Sequence, residues 1–156
     1  MTQTSWTSTL KQLGLSLPPV AAPVAAYVPA TQVGTQVWTS GQLPFIAGEL
    51  PATGQLGAEI TVAQGQEYAR IATLNALAAV ADVVGLDAII RIIKVTGFVA
   101  SAPDFHEQPA VVNGASQLLG EIFGEAGKHV RSAVGVAELP LNSPVEVELI
   151  VEIAAE

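Results

Sequence analysis

The chain has 156 residues, of which half are hydrophobic and only 13% are charged, with a formal net charge of −8 and no cysteine. This composition excludes disulfides, thiolate nucleophiles and cysteine-bound zinc, and six Lys and Arg residues leave no basic patch for nucleic acid. The charged fraction is about half the ~25% that is usual in soluble domains. We therefore expect part of the surface to be buried against other copies of the chain.

The N-terminal part, residues 1–21, is predicted to be an extension with a short helix over residues 5–13 and a proline-rich lead-in. It lacks the basic start and continuous apolar core of a secretory signal, so a cytoplasmic location is the default expectation. The most apolar run is interrupted by Arg91 and Lys94 before it reaches the ~18 uncharged residues that a membrane span requires. We expect one domain over residues 1–156 and no contact with a membrane.

Two strands are predicted in residues 31–43, joined by a turn at Gly34. A loop rich in glycine and proline follows over residues 44–60 and shows no catalytic spacing. Thr61 and Gln64 then have the spacing of a capping box, which predicts the start of a long helix.

Gly85 is predicted to end this helix, because glycine readily adopts the backbone conformation found just after a helix. Small residues recur at three- and four-residue steps along the helix and predict a face that lies close to a sheet: Ala69, Ala72, Ala76, Val80 and Val83. Residues 88–101 are β-branched and predict a strand. A second helix is expected from about Pro109 to the glycines Gly124 and Gly127.

Two final strands are predicted in residues 129–137 and 145–153. The order ββαβαββ predicts an α+β fold with both helices packed on one face of a sheet. Period-two alternation in the last strand places its valines toward the helices and Glu146 on the opposite face. In residues 129–137 the valines form one set and His129, Arg131, Ala133, Gly135 and Ala137 form the other. We expect this second set to face away from the helices.

Arg131 is the unusual residue of that set, because it lies among small residues in a chain with few charges. One interpretation is an ordinary solvated sheet face, on which mixed charge is common. The other is a polar pocket in the wall of an interface between subunits, where a guanidinium suits a planar carboxylate held by two parallel hydrogen bonds. His106 and His129 have no second ligand at a suitable spacing, so no metal site is predicted.

The C-terminal stretch "HVRSAVGVAELPLNSPVEVELIVEIA" resembles the C-terminal signature of the YjgF/RidA family. "AYVPA" followed by "VWTSGQLP" resembles the N-terminal signature, and "VTGFVASAPDF" with "VVNGAS" resembles the middle of the family sequence. The similarity covers residues 22–154 in a consistent order. It implies a chorismate-mutase-like fold with a mixed sheet, assembled as a homotrimer with clefts between subunits.

The resemblance also implies an activity, the hydrolysis of reactive 2-imino or enamino acids to 2-keto acids and ammonium, without a metal or cofactor. Matching motif positions imply that Arg131 holds the substrate carboxylate and that Glu146 directs the attacking water. The other residues implied to bind substrate in the cleft are Tyr27, Ser40, Gly41, Asn113 and Ala133.

Two positions depart from the deaminase pattern of the family. Ala133 stands where a cysteine is common, and Gly135 stands where a larger residue is usual, which predicts a roomier pocket. The alternative function is therefore a non-catalytic trimer that binds small carboxylates or keto acids. A ribonuclease is disfavoured, because the chain is acidic and only Arg131 and Lys128 are cations near the predicted cleft.

Overall fold

The structure is a computed structural model that describes residues 5–23 and 25–155; residues 1–4 of the predicted N-terminal extension lie outside the described part. The helices are α1 (Trp6–Gln12), α2 (Val62–Val84) and α3 (Gln108–Phe123). The strands are β1 (Ala30–Val33), β2 (Gln36–Thr39), β3 (Ile89–Ala100), β4 (Val130–Val136) and β5 (Val145–Ile153). After α1, the order ββαβαββ is the predicted one.

The five strands form one mixed sheet in the order β1-β2-β5-β3-β4. β3 and β4 run parallel, which the crossover helix α3 permits, and the other neighbouring strands are antiparallel. Among the described strands, β4 is consequently at the edge of the sheet and has a hydrogen-bonded neighbour on one side only.

The long helices α2 and α3 pack against each other and on one face of this sheet, where they enclose the buried core. The expected capping box is present, since the Thr61 side chain accepts from Gln64 N while the Gln64 side chain accepts from Thr61 N. Gly85 ends the helix with φ 84°. The small-residue face of α2 is fully buried from Ala69 to Val80, but Val83, one residue before the end of the helix, is 41% exposed.

The expectation of two helices on the sheet omits a third helix that also joins the core. Trp6 of α1 packs edge-to-face against Phe123 at the end of α3, with 5.1 Å between ring centroids. Its indole Nε1 donates to Ile89 O at 2.7 Å, at the start of β3. Leu10 of α1 is buried in the same core. The short predicted N-terminal helix is therefore part of the packed structure.

The face prediction is correct for β5 and wrong for β4. In β5 the valines and Leu149 are buried against the helices, and Glu146 lies on the opposite, open face. In β4 it is Arg131 that contacts α3, while Val130 and Val134 are 64% and 42% exposed on the open face. The register of β4 supports this orientation of Arg131, because Arg131 pairs with Val95 of β3, which is fully buried.

The reason for the reversal in β4 is the close approach of α3 to the sheet. A Cβ at Gly97 of β3 would lie 2.5 Å from a methyl group of Val112 in α3. Gly97 pairs with Ala133, so only small residues fit under the helix at this position. The valines of β4 therefore face outward, although they are the more hydrophobic set.

The open face of the sheet exposes several large apolar side chains. Val134 of β4 and Glu146 of β5 both pair with Phe98 of β3, so these three residues share the open face. Trp38 of β2 lies on the same face, two strands away from Phe98, and is 48% exposed.

Among the described residues, no helix is long and apolar enough to cross a membrane.

Candidate functional site

Arg131 is partly buried and held by helix α3. Its Nη1 donates to Asn113 Oδ1 at 2.8 Å and to Ser116 Oγ at 3.2 Å. Its Nη2 donates to Pro109 O at 3.4 Å. Asn113 and Ser116 are three residues apart on α3 and therefore lie on the same side of the helix, facing β4.

Arg131 has no acidic partner within residues 5–23 and 25–155, in contrast to the other arginines. Arg70 pairs with Glu121 at 3.1 Å, and Arg91 pairs with Glu152. A guanidinium carries five N–H donors, and the three hydrogen bonds of Arg131 leave two of them, on Nε and Nη2, without a described acceptor. Two donors are what a carboxylate needs for a two-point hydrogen bond.

Gly135 does not open the larger pocket that the sequence predicted. A Cβ at this position would lie 2.7 Å from Gln108 Nε2 and 3.0 Å from Ser101 Oγ. The Gln108 amide occupies this space and is held there, because its Nε2 donates to Phe105 O at 2.8 Å and to Ser101 Oγ at 3.2 Å. Ala133, two residues before Gly135, packs against the edge of the core.

Glu146 lies on the open face, where it lines a cavity of about 70 Å³ together with Tyr27 and Gly41. Its carboxylate is partly buried and accepts no hydrogen bond from the described residues. Burial raises the pKa of Glu146, and the nearby Glu148 carboxylate raises it further. A carboxylate with a raised pKa is a stronger base than an ordinary glutamate, which suits proton transfer from water.

Gly41 is required for this position of the Glu146 carboxylate. A Cβ at residue 41 would lie 2.5 Å from Glu146 Oε1 and 2.7 Å from its Cδ. The absence of a side chain at Gly41 thus lets the carboxylate lie directly against the backbone after β2.

We expect Gly41→Ala to push the Glu146 carboxylate toward solvent and to lower its pKa toward the ordinary glutamate value, because the burial that raises it is lost. A pH titration of the glutamate carboxyl carbons by ¹³C NMR measures this. Gly120→Ala is a suitable control, since Gly120 has open space around its Cα. An unchanged pKa for Glu146 in the Gly41 variant would contradict this account.

Ser40 supports the cavity without lining it. Its Oγ donates to Val28 O at 2.6 Å, and its backbone N donates to Pro29 O at 2.7 Å. These bonds attach the segment that carries Tyr27 to the end of β2. Tyr27 itself is 47% exposed at the mouth of the cavity.

The predicted site residues therefore form two groups in one chain. The Arg131 half-site consists of Arg131, Asn113 and Ala133 on the helix side of β4, and the Glu146 half-site consists of Glu146, Tyr27 and Gly41 on the open face. Two strand spacings and three residues along the strand separate the α-carbons of Arg131 and Glu146, which is about 14 Å. Because the two side chains also point to opposite faces, one chain does not bring them together.

The sequence did not assign to the site either Ser116, which contacts Arg131, or His129, which contacts Ser116. Ser116 Oγ lies 2.9 Å from His129 Nε2, and His129 Nδ1 lies 2.6 Å from Gly127 O. The i, i+3 spacing from Asn113 to Ser116 is the signal that identifies Ser116 as a neighbour of Arg131. His129 shows no such signal, because its contact with Ser116 depends on the packing of β4 against α3.

Comparison with known proteins agrees with the family resemblance of the sequence motifs. Residues 7–153 match the family described as YjgF/chorismate-mutase-like, putative endoribonuclease. Protein TCP17 of Trypanosoma cruzi is 45% identical over 146 residues, which cover 92% of this chain and 91% of TCP17. The crystal structure of a putative endoribonuclease from Shewanella oneidensis superimposes with a TM-score of 0.93 at 42% identity, covering 96% of this chain and 100% of that one.

A relative with a more specific name is the putative reactive intermediate deaminase TdcF of Escherichia coli, which is 33% identical over 129 residues, 81% of this chain and 86% of TdcF. The crystal structure of E. coli TdcF with bound serine superimposes with a TM-score of 0.62 at 30% identity, covering 88% of this chain and 94% of that one. The extent of these matches and the order of the quoted motifs show that the chain belongs to the YjgF/RidA family and has its chorismate-mutase-like fold.

Proposed function

We propose that this protein hydrolyses reactive 2-imino or enamino acids to 2-keto acids and ammonium, in clefts between the subunits of a homotrimer. The observation that carries the proposal is Arg131, a partly buried cation without an acidic partner that keeps two N–H donors for a carboxylate. The name of TdcF and the serine bound in its structure support a substrate of amino-acid type.

The cleft requires two copies of the chain, because the two half-sites lie on opposite faces of the sheet. A complete site forms where the Arg131 half-site of one copy meets the Glu146 half-site of its neighbour. The exposed Trp38, Val130 and Val134 on the open face, together with the low charge of the chain, support burial of that face in an assembly.

The chemistry follows from the two half-sites. Arg131 binds the substrate carboxylate and thereby fixes the position of the adjacent C=N carbon. The substrate reacts as its protonated imine: Glu146 accepts a proton from water as the water oxygen bonds to the C=N carbon, and the C=N electron pair moves to nitrogen, which gives a neutral carbinolamine. Glu146 returns the proton to the amine nitrogen, the C–N bond breaks, and the carbinol hydroxyl gives its proton to the departing ammonia, so that a 2-keto acid and ammonium leave. An imine is reactive enough for orientation and a water-directing base to suffice.

The proposal is tested by generating 2-imino acids in situ from amino acids with an amino-acid oxidase and measuring the rate of ammonia release. We expect the protein to accelerate release from small 2-imino acids, and an Arg91→Ala variant to do so equally, because Arg91 is a surface arginine paired with Glu152. Binding of 2-oxobutanoate without acceleration of any imine would instead identify the protein as a carboxylate-binding trimer. The same preparation gives the number of subunits by analytical ultracentrifugation.

A further inference from the structure

A continuous row of hydrogen bonds lies behind Arg131, on the side away from its two remaining donors. Arg131 Nη1 lies 3.2 Å from Ser116 Oγ, which lies 2.9 Å from His129 Nε2. His129 Nδ1 lies 2.6 Å from Gly127 O. The four groups come from three parts of the fold, because Arg131 lies in β4, Ser116 lies in α3, and His129 and Gly127 lie in the turn that precedes β4.

The direction of every bond in this row follows from its two ends. Gly127 O only accepts, so His129 Nδ1 carries a hydrogen and donates it. In the neutral imidazole, Nε2 then has a lone pair and accepts from the hydroxyl of Ser116. The guanidinium of Arg131 only donates, so it gives a hydrogen to the Ser116 oxygen. In this arrangement, each hydrogen bond of the row has one donor and one acceptor: Arg131 donates to Ser116, Ser116 donates to His129, and His129 donates to Gly127 O.

The far end of the row is fixed by packing. Gly127 is buried, and a Cβ there would collide with the backbone carbonyl of Leu119 in α3. The carbonyl that anchors His129 is therefore held directly against the helix that also provides Asn113 and Ser116. Arg131 and its supports form one rigid unit, which is the condition for precise placement of a ligand-binding group.

We propose that Ser116 and His129 are positioning residues for Arg131. They direct both hydrogens of Nη1 to Asn113 and Ser116, and so present the Nε and Nη2 donors to the carboxylate of the ligand. The inference rests on the proposed function for its ligand, but the hydrogen-bonded row is a property of the free protein and is tested separately.

The first test is the tautomer of His129, read from the ring nitrogens in a long-range ¹H–¹⁵N NMR spectrum at a pH where histidines are neutral. The chain has two histidines, so a His106→Gln variant leaves His129 alone in the spectrum. We expect the Nδ1–H form for His129, with a shift of its Nε2 resonance in Ser116→Ala. A wild-type His129 protonated at Nε2 instead of Nδ1 overturns the proposal.

The second test is the affinity for 2-oxobutanoate, measured by calorimetry. We expect Ser116→Ala to weaken binding about tenfold, because a hydrogen bond to a charged group is lost. Ser116→Thr keeps the hydroxyl and should bind within about twofold of wild type. Gln117→Ala alters the next, exposed residue of α3 and should have no effect. Equal affinity of Ser116→Ala and wild type overturns the positioning role.

The two tests separate this inference from the proposed function. If wild type binds no 2-oxobutanoate and does not accelerate ammonia release, the proposed function fails. The NMR spectrum of His129 still tests the hydrogen bonds from Arg131 to Gly127. In that case, the resonance of the Nη1 hydrogen that Arg131 donates to Ser116 is the second readout. It should be a distinct signal in wild type and in Ser116→Thr, and should broaden through solvent exchange in Ser116→Ala. An unchanged Arg131 signal in Ser116→Ala rules out positioning by Ser116.

Discussion

Arg131→Ala is expected to weaken the binding of 2-oxobutanoate more than about a hundredfold, because a two-point hydrogen bond to a carboxylate is lost. The guanidinium has no acidic partner among the described residues, so its charge is available for a ligand. Arg131→Lys should restore only part of the affinity, since an ammonium group offers no planar pair of donors. Calorimetry or ligand-observed NMR measures both variants.

The Arg131→Ala variant should remain folded, because the guanidinium contacts polar atoms of α3 at the edge of the sheet and not the apolar core. The change leaves Asn113 Oδ1 and Ser116 Oγ without this donor, and water can reach both atoms at their partly buried positions. We expect a loss of about 1 kcal/mol in the free energy of unfolding. Unimpaired carboxylate binding by a folded Arg131→Ala protein would disprove the proposed role of this residue.

Glu146→Gln is expected to lower the turnover of 2-imino acids by about a hundredfold or more while changing the Kd for 2-oxobutanoate by less than about threefold. The amide has nearly the size of the carboxylate and fits against Gly41, but it cannot accept a proton from water. Steady-state ammonia release and calorimetry provide the two numbers. Equal losses in turnover and in binding would show that Glu146 holds the substrate and does not direct the water.

The pH dependence provides an independent check on Glu146. Its ionised form is the base, so the rate should be lost as the pH falls through its pKa. Because burial and Glu148 raise that pKa, the loss should begin at a higher pH than for an ordinary glutamate. Glu148→Gln removes the second cause and should move the loss to lower pH. The residual rate of Glu146→Gln should not show this step.

The contribution of Glu146 to folding stability should change with pH in the opposite sense to the rate of hydrolysis. A raised pKa in the folded state means that folding favours the neutral form of Glu146. Its contribution to stability is therefore fully present below the unfolded-state pKa and is lost as the pH rises through the folded-state pKa. Glu146→Gln keeps the neutral form at every pH, so the variant should be at least as stable as wild type at neutral pH in denaturant unfolding. A large loss of stability there would make its kinetics unsuitable for this test.

The two variants together test whether the half-sites of different copies form the cleft. If the chain forms the proposed homotrimer and each cleft takes one half-site from each of two copies, a trimer that mixes Arg131→Ala and Glu146→Gln subunits has one cleft with both defects and one with neither. Co-refolding the variants should therefore recover part of the turnover that each lacks alone. Absence of recovery in trimers shown to be mixed by native mass spectrometry would place both residues of a cleft in one chain.

Several features were determined by the sequence because they depend on neighbours along the chain or on an unambiguous pattern. The capping box at Thr61 and Gln64 and the end of α2 at Gly85 involve contacts within a few residues. β5 lies inside the sheet and has strands on both sides, and its strict alternation leaves only one apolar set to face the helices. The order of the family motifs predicted the chorismate-mutase-like fold, which the family match confirms. The roles of the site residues stay a prediction.

Other features were decided only by the tertiary structure. The orientation of β4 is the first of these features. The alternation of its residues does not settle which set faces the helices, and the close approach of α3 at Gly97 favours the set that contains Ala133 and Gly135. The space beside Gly135 was another, since Gln108 reaches it from the start of α3. The separation of the Arg131 and Glu146 half-sites and the contact of Ser116 with His129 also join elements distant in the chain. Such contacts depend on how closely helices and strands pack, which a pattern along one strand does not specify.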